Sequence, residues 1–264
     1  MNPDRETAAH EALTAKLVRF QRPERDLPYL TGLDEDRVAG LFGLTPPAYR
    51  DRLAALDAQT RTAAAVLRDA PGTAGLPARL PFAPGQRIVA LGESTTADRL
   101  SWLEILRHLL PDGVAVTNLA VSGSTTTQAL AQAPALTRLR PGWVLCLLGT
   151  NDARRTGPAT LVSASETRRN LAALRELTDA RWVWLTPTPV DEKRVASFEP
   201  FRRAGLTWAG KDVDAITAYL LERPEPAVDT RPAVTGRHLD DGVHITLDGQ
   251  REITAAVLRL LAEL

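Results

Sequence analysis

Asp241 and His244, near the C-terminal end of the sequence, have the types and spacing of an acid–base pair. On one turn of chain, the carboxylate can accept a hydrogen bond from the imidazole Nδ1–H and leave Nε2 free as a base. A polar surface loop could contain the same residues. A metal site formed by His238, Asp240 and His244 is a competing interpretation, although their spacing matches no zinc pattern.

Ser94 is a candidate nucleophile. It follows the apolar run Ile88 to Leu91 in the segment RIVALGESTTAD, which predicts a buried strand, a turn and a helix. Such a turn exposes the serine Oγ close to the helix N-terminus, where free backbone N–H groups and the helix dipole favour developing negative charge. The position therefore suits an acyl-transfer nucleophile, but it equally suits a serine that caps the helix.

Two further polar clusters could complete a site. Gly123 lies in the stretch from Asn118 to Thr126, where glycine permits a positive φ and lets a backbone N–H approach a ligand. Asn151 lies in the stretch from Gly149 to Asp152 and can present its Nδ2 donor. Each cluster is also typical of an ordinary tight turn.

These clusters need a scaffold, and the chain from Gln86 onward alternates short apolar runs with longer helical patterns. The predicted strands are Arg87–Leu91, Val114–Leu119, Trp143–Leu148, Trp182–Thr186 and Ala227–Asp229. The predicted helices are Ala97–Leu110, Thr126–Leu139, Ser163–Thr178, Lys211–Glu222 and Leu247–Leu264. The alternation predicts a parallel α/β sheet, whose ligands bind beyond the carboxyl ends of the strands. Ser94, Gly123 and Asn151 all follow predicted strands and fall at that edge.

The bulk composition excludes several classes of partner. The 264 residues include 32 basic and 32 acidic side chains, so no net charge favours nucleic acid or an anionic membrane. The only cysteine, Cys146, lies in an apolar run, where we expect it to be buried. The charged N-terminus has no apolar signal-peptide core and no stretch is long enough to span a membrane, so we expect a cytoplasmic protein.

Residues 1–80 are predicted to form a helical N-terminal extension, and residues 81–264 the main domain. A Pro- and Gly-rich stretch, residues 70–85, is predicted to be a linker or a strap across the surface. Part of the extension has a helix-turn-helix pattern, but its second helix offers Arg50 and Arg52 against Asp51, which is not a basic stripe. We therefore favour a helical cap over a DNA-binding element.

The four blocks, in this order, resemble those of the SGNH hydrolases, also called GDSL-type lipases and esterases. That family has a Gly-Asp-Ser block after the first strand, a Gly block after the second, Gly-x-Asn-Asp after the third and Asp-x-x-His near the C-terminus. The chain has Gly92-Glu93-Ser94, Asn118 to Gly123, Gly149-Thr150-Asn151-Asp152 and Asp241-Gly242-Val243-His244. The resemblance covers residues 86–264, and the helical extension is similar to that of a bacterial subgroup. The G-x-S-x-G signature of the α/β-hydrolases is absent.

The resemblance implies a three-layer α/β/α sandwich with a parallel, flavodoxin-like sheet and a serine esterase without metal or cofactor. Ser94 would be the nucleophile, His244 its general base and Asp241 the residue that orients the imidazole. The Ser94 N–H, the Gly123 N–H and the Asn151 side chain would form the oxyanion hole.

One position departs from the family, since Glu93 stands where Asp is usual; we interpret it as a supporting or packing acid. Candidate substrate contacts are Glu93, Asp152, Arg154 and Val190. We expect Phe198, Phe201 and Trp208 to line the pocket together with residues 187–194. The substrate is expected to be a small ester with a short acyl group. An acyltransferase and a catalytically silent binding protein are the alternatives.

Overall fold

The computed structural model of the protein describes residues 3–26 and 32–264. Its strands are β1 (Arg87–Gly92), β2 (Ala115–Asn118), β3 (Trp143–Leu147), β4 (Arg154–Thr156), β5 (Ala159–Thr160), β6 (Arg181–Leu185), β7 (Leu206–Trp208) and β8 (Ala227–Val228). Its α-helices are α1 (Pro3–Phe20), α2 (Pro23–Asp26), α3 (Glu35–Leu41), α4 (Pro46–Asp69), α5 (Ser94–Ala97), α6 (Trp102–Arg107), α7 (Thr126–Ala129), α8 (Ala133–Leu139), α9 (Ala164–Arg175), α10 (Glu192–Ser197), α11 (Glu199–Arg203), α12 (Gly210–Leu221), α13 (Arg231–Val234) and α14 (Leu247–Leu261). Short 3₁₀ turns are formed by Pro77–Arg79 and Leu130–Gln132.

The central sheet is parallel and has the strand order β2-β1-β3-β6-β8. This is the doubly wound, flavodoxin-like order, and it confirms the predicted fold class. The five predicted strands agree with these five to within one residue at each end. The inner strands are buried on both faces because helices cover the sheet on each side, and Cys146 in β3 has no exposed surface.

The two faces of the sheet bury different side chains, because successive residues of a strand point to opposite faces. In β1, Ile88 and Ala90 pack with α4, α6 and α14, whereas Val89 and Leu91 pack with α8, α9 and α12. The result is a three-layer α/β/α sandwich. Among the described residues, no helix is both long and apolar enough to cross a membrane.

Two predicted helices are interrupted. The helix expected over 97–110 is split, because the Asp98 carboxylate accepts from the Leu100 N–H (2.8 Å) and the Ser101 side chain caps α6 by accepting from the Glu104 N–H. The helix expected over 126–139 is divided by a 3₁₀ turn, with Pro134 in the first turn of α8. Proline lacks the N–H that a continuous helix would need at that position.

A second, small sheet was not predicted. Its strands are β5, β4 and β7 in an antiparallel arrangement, and each has only two or three residues. Such short strands show no clear alternation of apolar and polar residues. Arg154 in β4 pairs with Trp208 in β7, so this sheet sets the position of both side chains.

The N-terminal segment is helical, and the side chains of Asp34 and Thr45 cap the N-termini of α3 and α4. Helix α4 packs against α6 and α14. Helix α1 is fixed by Arg19, whose guanidinium donates to both oxygens of the fully buried Asp98 carboxylate at 2.9 and 2.6 Å. Because this ion pair satisfies a buried charge, it ties α1 to the turn that follows α5.

Candidate active site

Ser94 is the first residue of α5, directly after the carboxyl end of β1. The N-cap position is occupied by Glu93, not by Ser94, and the Ser94 hydroxyl caps no backbone group in the part of the chain that the structure describes. The side chain is 7% exposed and lies on a cavity. Ser94 therefore lies at the carboxyl edge of the sheet, with its side chain on a cavity.

Asp241 and His244 form the hydrogen-bonded pair that their spacing predicts. The His244 Nδ1 lies 2.7 Å from Asp241 Oδ2, and Asp241 Oδ1 accepts from the backbone N–H groups of Val243 (3.1 Å) and His244 (2.9 Å). Burial acts to raise the pKa of Asp241, but the hydrogen bonds and the charge of His244 outweigh it and hold that pKa well below its usual range. The imidazole is thus held by a carboxylate that stays ionised.

The backbone around Ser94 and Gly123 offers unused donors. Among the described residues, neither the Ser94 N–H nor the Gly123 N–H donates to a protein acceptor. Gly123 has φ +81°, a conformation that favours glycine, and no atom lies within 4 Å of the position that a Cβ would take. Both residues line the same cavity. Their N–H groups are free to receive a ligand oxygen.

Asn151 lies on the same cavity, and its amide already has two partners. Asn151 Nδ2 donates to Glu93 Oε2 at 2.8 Å and to the Ser124 carbonyl at 3.2 Å. Since both partners are acceptors, they fix which end of the amide is the donor. The shorter contact orients the amide, and the longer contact is the weaker of the two.

Glu93, the residue that departs from the family pattern, holds the turn after β3. Its carboxylate is 1% exposed and also accepts the backbone N–H groups of Thr150 (3.2 Å) and Asn151 (3.1 Å). Burial raises the pKa of Glu93 to about 7, against the opposing effect of these hydrogen bonds. The carboxylate therefore links the turn that bears Ser94 to the turn that bears Asn151.

The other residues suggested as substrate contacts lie in different surroundings. Asp152 is fully buried and accepts from the Thr126 N–H (2.9 Å) and the Thr167 hydroxyl (2.9 Å), and burial raises its pKa. Val190 packs against the hydrophobic cluster that contains Trp208. Arg154 lines the cavity with Ser94. The carboxylates of Glu93 and Asp152 thus accept hydrogen bonds from protein groups. Of the four suggested substrate contacts, Arg154 is the residue that lines the cavity.

The cavity beside Ser94 and His244 has a volume of about 530 Å³. Its lining combines the predicted site residues with an aromatic and aliphatic surface and part of α1. The lining residues are Leu13, Lys16, Leu17, Phe20, Gln21, Ser94, Ser122, Gly123, Asn151, Arg154, Phe198, Pro200, Phe201, Leu206, Trp208, Val243 and His244. Phe198, Phe201 and Trp208 line the cavity as expected, but none of residues 187–194 is among the lining residues, so that part of the expectation was wrong.

Helix α1 contributes site residues that the sequence pattern did not indicate. Lys16 Nζ lies 3.1 Å from Asp241 Oδ2, and the Phe20 ring packs against the His244 ring with a centroid separation of 4.4 Å. The helical spacing of Leu13, Leu17 and Phe20 shows that α1 has an apolar face. That spacing carries no information about what the face contacts, so the sequence could not place α1 at the site.

The structure gives no support to the metal interpretation. His238 Nε2 lies 2.8 Å from the Pro189 carbonyl oxygen, and Asp240 is exposed. Within residues 3–26 and 32–264, no group of three or more His, Cys, Asp or Glu side chains is arranged to hold a metal ion.

The parallel sheet, with its polar residues at the carboxyl edge, is the fold of the SGNH hydrolases. The family model for the GDSL-like lipase/acylhydrolase family matches residues 90–252, and the chain belongs to this family. It is therefore a hydrolase of carboxylic esters. Residues 1–89 lie outside the match.

Solved structures with the same fold are distant in sequence. A lipase/acylhydrolase from Enterococcus faecalis is 21% identical, with a TM-score of 0.54 over 67% of this chain and 96% of that one. A mutant of an acetyl-xylooligosaccharide esterase from Geobacillus stearothermophilus is 20% identical, with a TM-score of 0.53 over 68% and 95%. A carbohydrate acetylesterase family member from Sinorhizobium meliloti is 17% identical, with a TM-score of 0.51 over 68% and 100%. No curated protein matches the chain.

The raised pKa of Glu93 predicts how stability depends on pH. With a pKa of about 7 in place of the ordinary 4.5, the folded protein binds this proton more tightly than the unfolded chain does. The stability of the wild type relative to a Glu93→Gln variant should therefore fall as the pH rises from 4.5 to about 7, and stay constant above that. The total change should be on the order of 3 kcal/mol. Urea unfolding of both proteins across this range measures it, and parallel pH profiles would contradict it.

Proposed function

We propose that the protein hydrolyses small carboxylic esters by a covalent mechanism in which Ser94 is the nucleophile. The observation that carries the proposal is the convergence on one cavity of Ser94, the Asp241–His244 pair and unused backbone N–H donors. Each group has a natural role in acyl transfer. Membership of an acylhydrolase family supports the same chemistry.

In the first half of the reaction, His244 Nε2 takes the proton from Ser94 Oγ as the oxygen attacks the ester carbonyl carbon. The resulting oxyanion accepts hydrogen bonds from the Ser94 and Gly123 N–H groups and from Asn151 Nδ2. The C–O bond to the alcohol then breaks, and His244 gives its proton to the leaving oxygen. Water repeats the sequence on the acyl-enzyme, releasing the acid and restoring Ser94.

Asp241 and Glu93 orient the side chains that act on the substrate. Asp241 holds the imidazole by Nδ1 and stabilises the imidazolium that forms in each half of the reaction. Glu93 fixes the amide of Asn151, whose weaker contact with the Ser124 carbonyl leaves a hydrogen for the oxyanion to share. Preorganised donors of this kind need no reorganisation when charge develops.

We infer that the acyl group is short. Two proteins of the same fold are an acetyl-xylooligosaccharide esterase and a carbohydrate acetylesterase family member, which supports an acetyl-like acyl group here. Arg154 borders the cavity and gives it a cationic side chain. In an acyltransferase, an alcohol would replace water in the second half of the reaction, and added alcohols would then yield a new ester.

Replacement of the nucleophile tests the proposal. A Ser94→Ala variant should lose hydrolysis of p-nitrophenyl acetate down to the uncatalysed rate, because no oxygen remains to form the acyl-enzyme. Release of p-nitrophenol measures the rate, and a thermal unfolding curve verifies folding. Hydrolysis that persists in folded Ser94→Ala would show that Ser94 is not the nucleophile. No hydrolysis of any short ester by the wild type would favour a silent binding protein.

Removal of the Asn151 amide tests the oxyanion hole. We expect Asn151→Ala to lower kcat about 10²–10³-fold, since one oxyanion donor supplies about 2.7–4 kcal/mol of transition-state stabilisation. Asn170→Ala is the matched control, because Asn170 is a buried asparagine whose amide donates to Thr126 and Thr127 outside the cavity lining. The control should keep kcat within about twofold. Equal kcat values for wild type and folded Asn151→Ala would remove Asn151 from the mechanism.

A further inference from the structure

Helix α1 has two apolar surfaces with different surroundings. Val18 is 1% exposed and packs with Val38, Ala39 and Tyr49 of the neighbouring helices. Leu13 and Leu17, one turn apart, are 54% and 37% exposed, yet both border the cavity that contains Ser94. Two adjacent leucines that face a catalytic cavity with this much free surface form an apolar surface that a ligand can cover.

The position of α1 relative to the reacting atoms shows which part of an ester would cover it. Phe20 packs on the imidazole of His244, and its carbonyl accepts the Ser122 hydroxyl. Lys16 contacts Asp241 behind the imidazole. The C-terminal end of helix α1 therefore lies against the His244 imidazole. Since His244 delivers its proton to the departing oxygen, the part of the cavity beside the imidazole receives the alcohol.

The same cavity has a second apolar surface. It consists of Phe198, Phe201 and Leu206, and the ammonium of Lys16 lies 5.3 Å from the centre of the Phe198 ring. Lys16 thus contacts both the Asp241 loop and the aromatic part of the cavity lining. A ligand that contacts both apolar surfaces would remove apolar area from water on each.

We propose that Leu13 and Leu17 form the subsite for an apolar leaving alcohol, so that the enzyme prefers esters of medium-length alkyl or aryl alcohols to those of methanol. The N-terminal helix is then a specificity element of the active site. The proposal rests on the Ser94 mechanism proposed above. It concerns the alcohol part of the ester alone, and the acyl group is the short, acetyl-like group inferred above.

A series of acetate esters isolates the alcohol. Methyl, butyl and benzyl acetate all form the same acetyl-enzyme, so deacylation is identical and only kcat/KM for acylation reports the alcohol subsite. We expect the Leu13→Ala/Leu17→Ala variant to lower kcat/KM for butyl and benzyl acetate about 5–10-fold and to keep methyl acetate within about twofold. Acid release in a pH-stat measures all three. Alanine favours a helix at least as well as leucine, so α1 should persist.

Leu41→Ala provides the matched control, because Leu41 is a 59% exposed helical leucine of the N-terminal segment that does not line this cavity. It should leave all three values unchanged. An equal loss for methyl, butyl and benzyl acetate, or no loss, would overturn the proposal. So would an altered preference among methyl esters of longer acids, which would assign the leucines to the acyl side. The rate of Ser94→Ala, measured in the same assay, separates failure of this proposal from failure of the mechanism. If that variant hydrolysed the esters as fast as the wild type, the Ser94 mechanism itself would be wrong.

Discussion

The buried carboxylate of Glu93 is the interaction on which the site geometry depends most. It lies beside Ser94 at the end of β1 and accepts three N–H groups from Thr150 and Asn151 at the end of β3. The two strands are neighbours in the parallel sheet, so the carboxylate joins two adjacent turns. Burial disfavours the charged form of a carboxyl group, and this is why the pKa of Glu93 is raised. The benefit is an Asn151 amide held in one orientation beside Ser94.

A second constraint comes from α1. Arg19 pairs with buried Asp98 in the turn after α5, and Lys16 reaches Asp241 in the loop that bears His244. These contacts fix α1 to two elements that carry site residues, and they leave Leu13 and Leu17 on the cavity. The segment that precedes the family match is therefore built into the surroundings of Ser94. The proposed preference for an apolar alcohol follows from that placement.

The sheet and the order of the site blocks could be predicted from the sequence, because parallel strands buried on both faces appear as apolar runs and their carboxyl ends share one edge. The break after α5 has local causes in Asp98 and Ser101, but the pairing of Asp98 with Arg19 joins residues 79 positions apart, and no local pattern indicates it. The contact of Lys16 with Asp241 spans 225 residues, and no local pattern encodes it. Glu93 was recognised only as a departure from the family. Its three hydrogen bonds depend on the pairing of β1 with β3, which places Glu93 beside Thr150 and Asn151.

The central claim is that Ser94 is an activated nucleophile, and covalent trapping tests it most directly. A dialkyl fluorophosphate forms a phosphoester with an activated serine oxygen and releases fluoride, and peptide mass spectrometry locates the adduct. We predict one adduct on Ser94 of the wild type, and its loss when His244→Ala removes the base that takes the Ser94 proton. An unmodified Ser94 in the folded wild-type protein, or an adduct on another residue, would contradict the account.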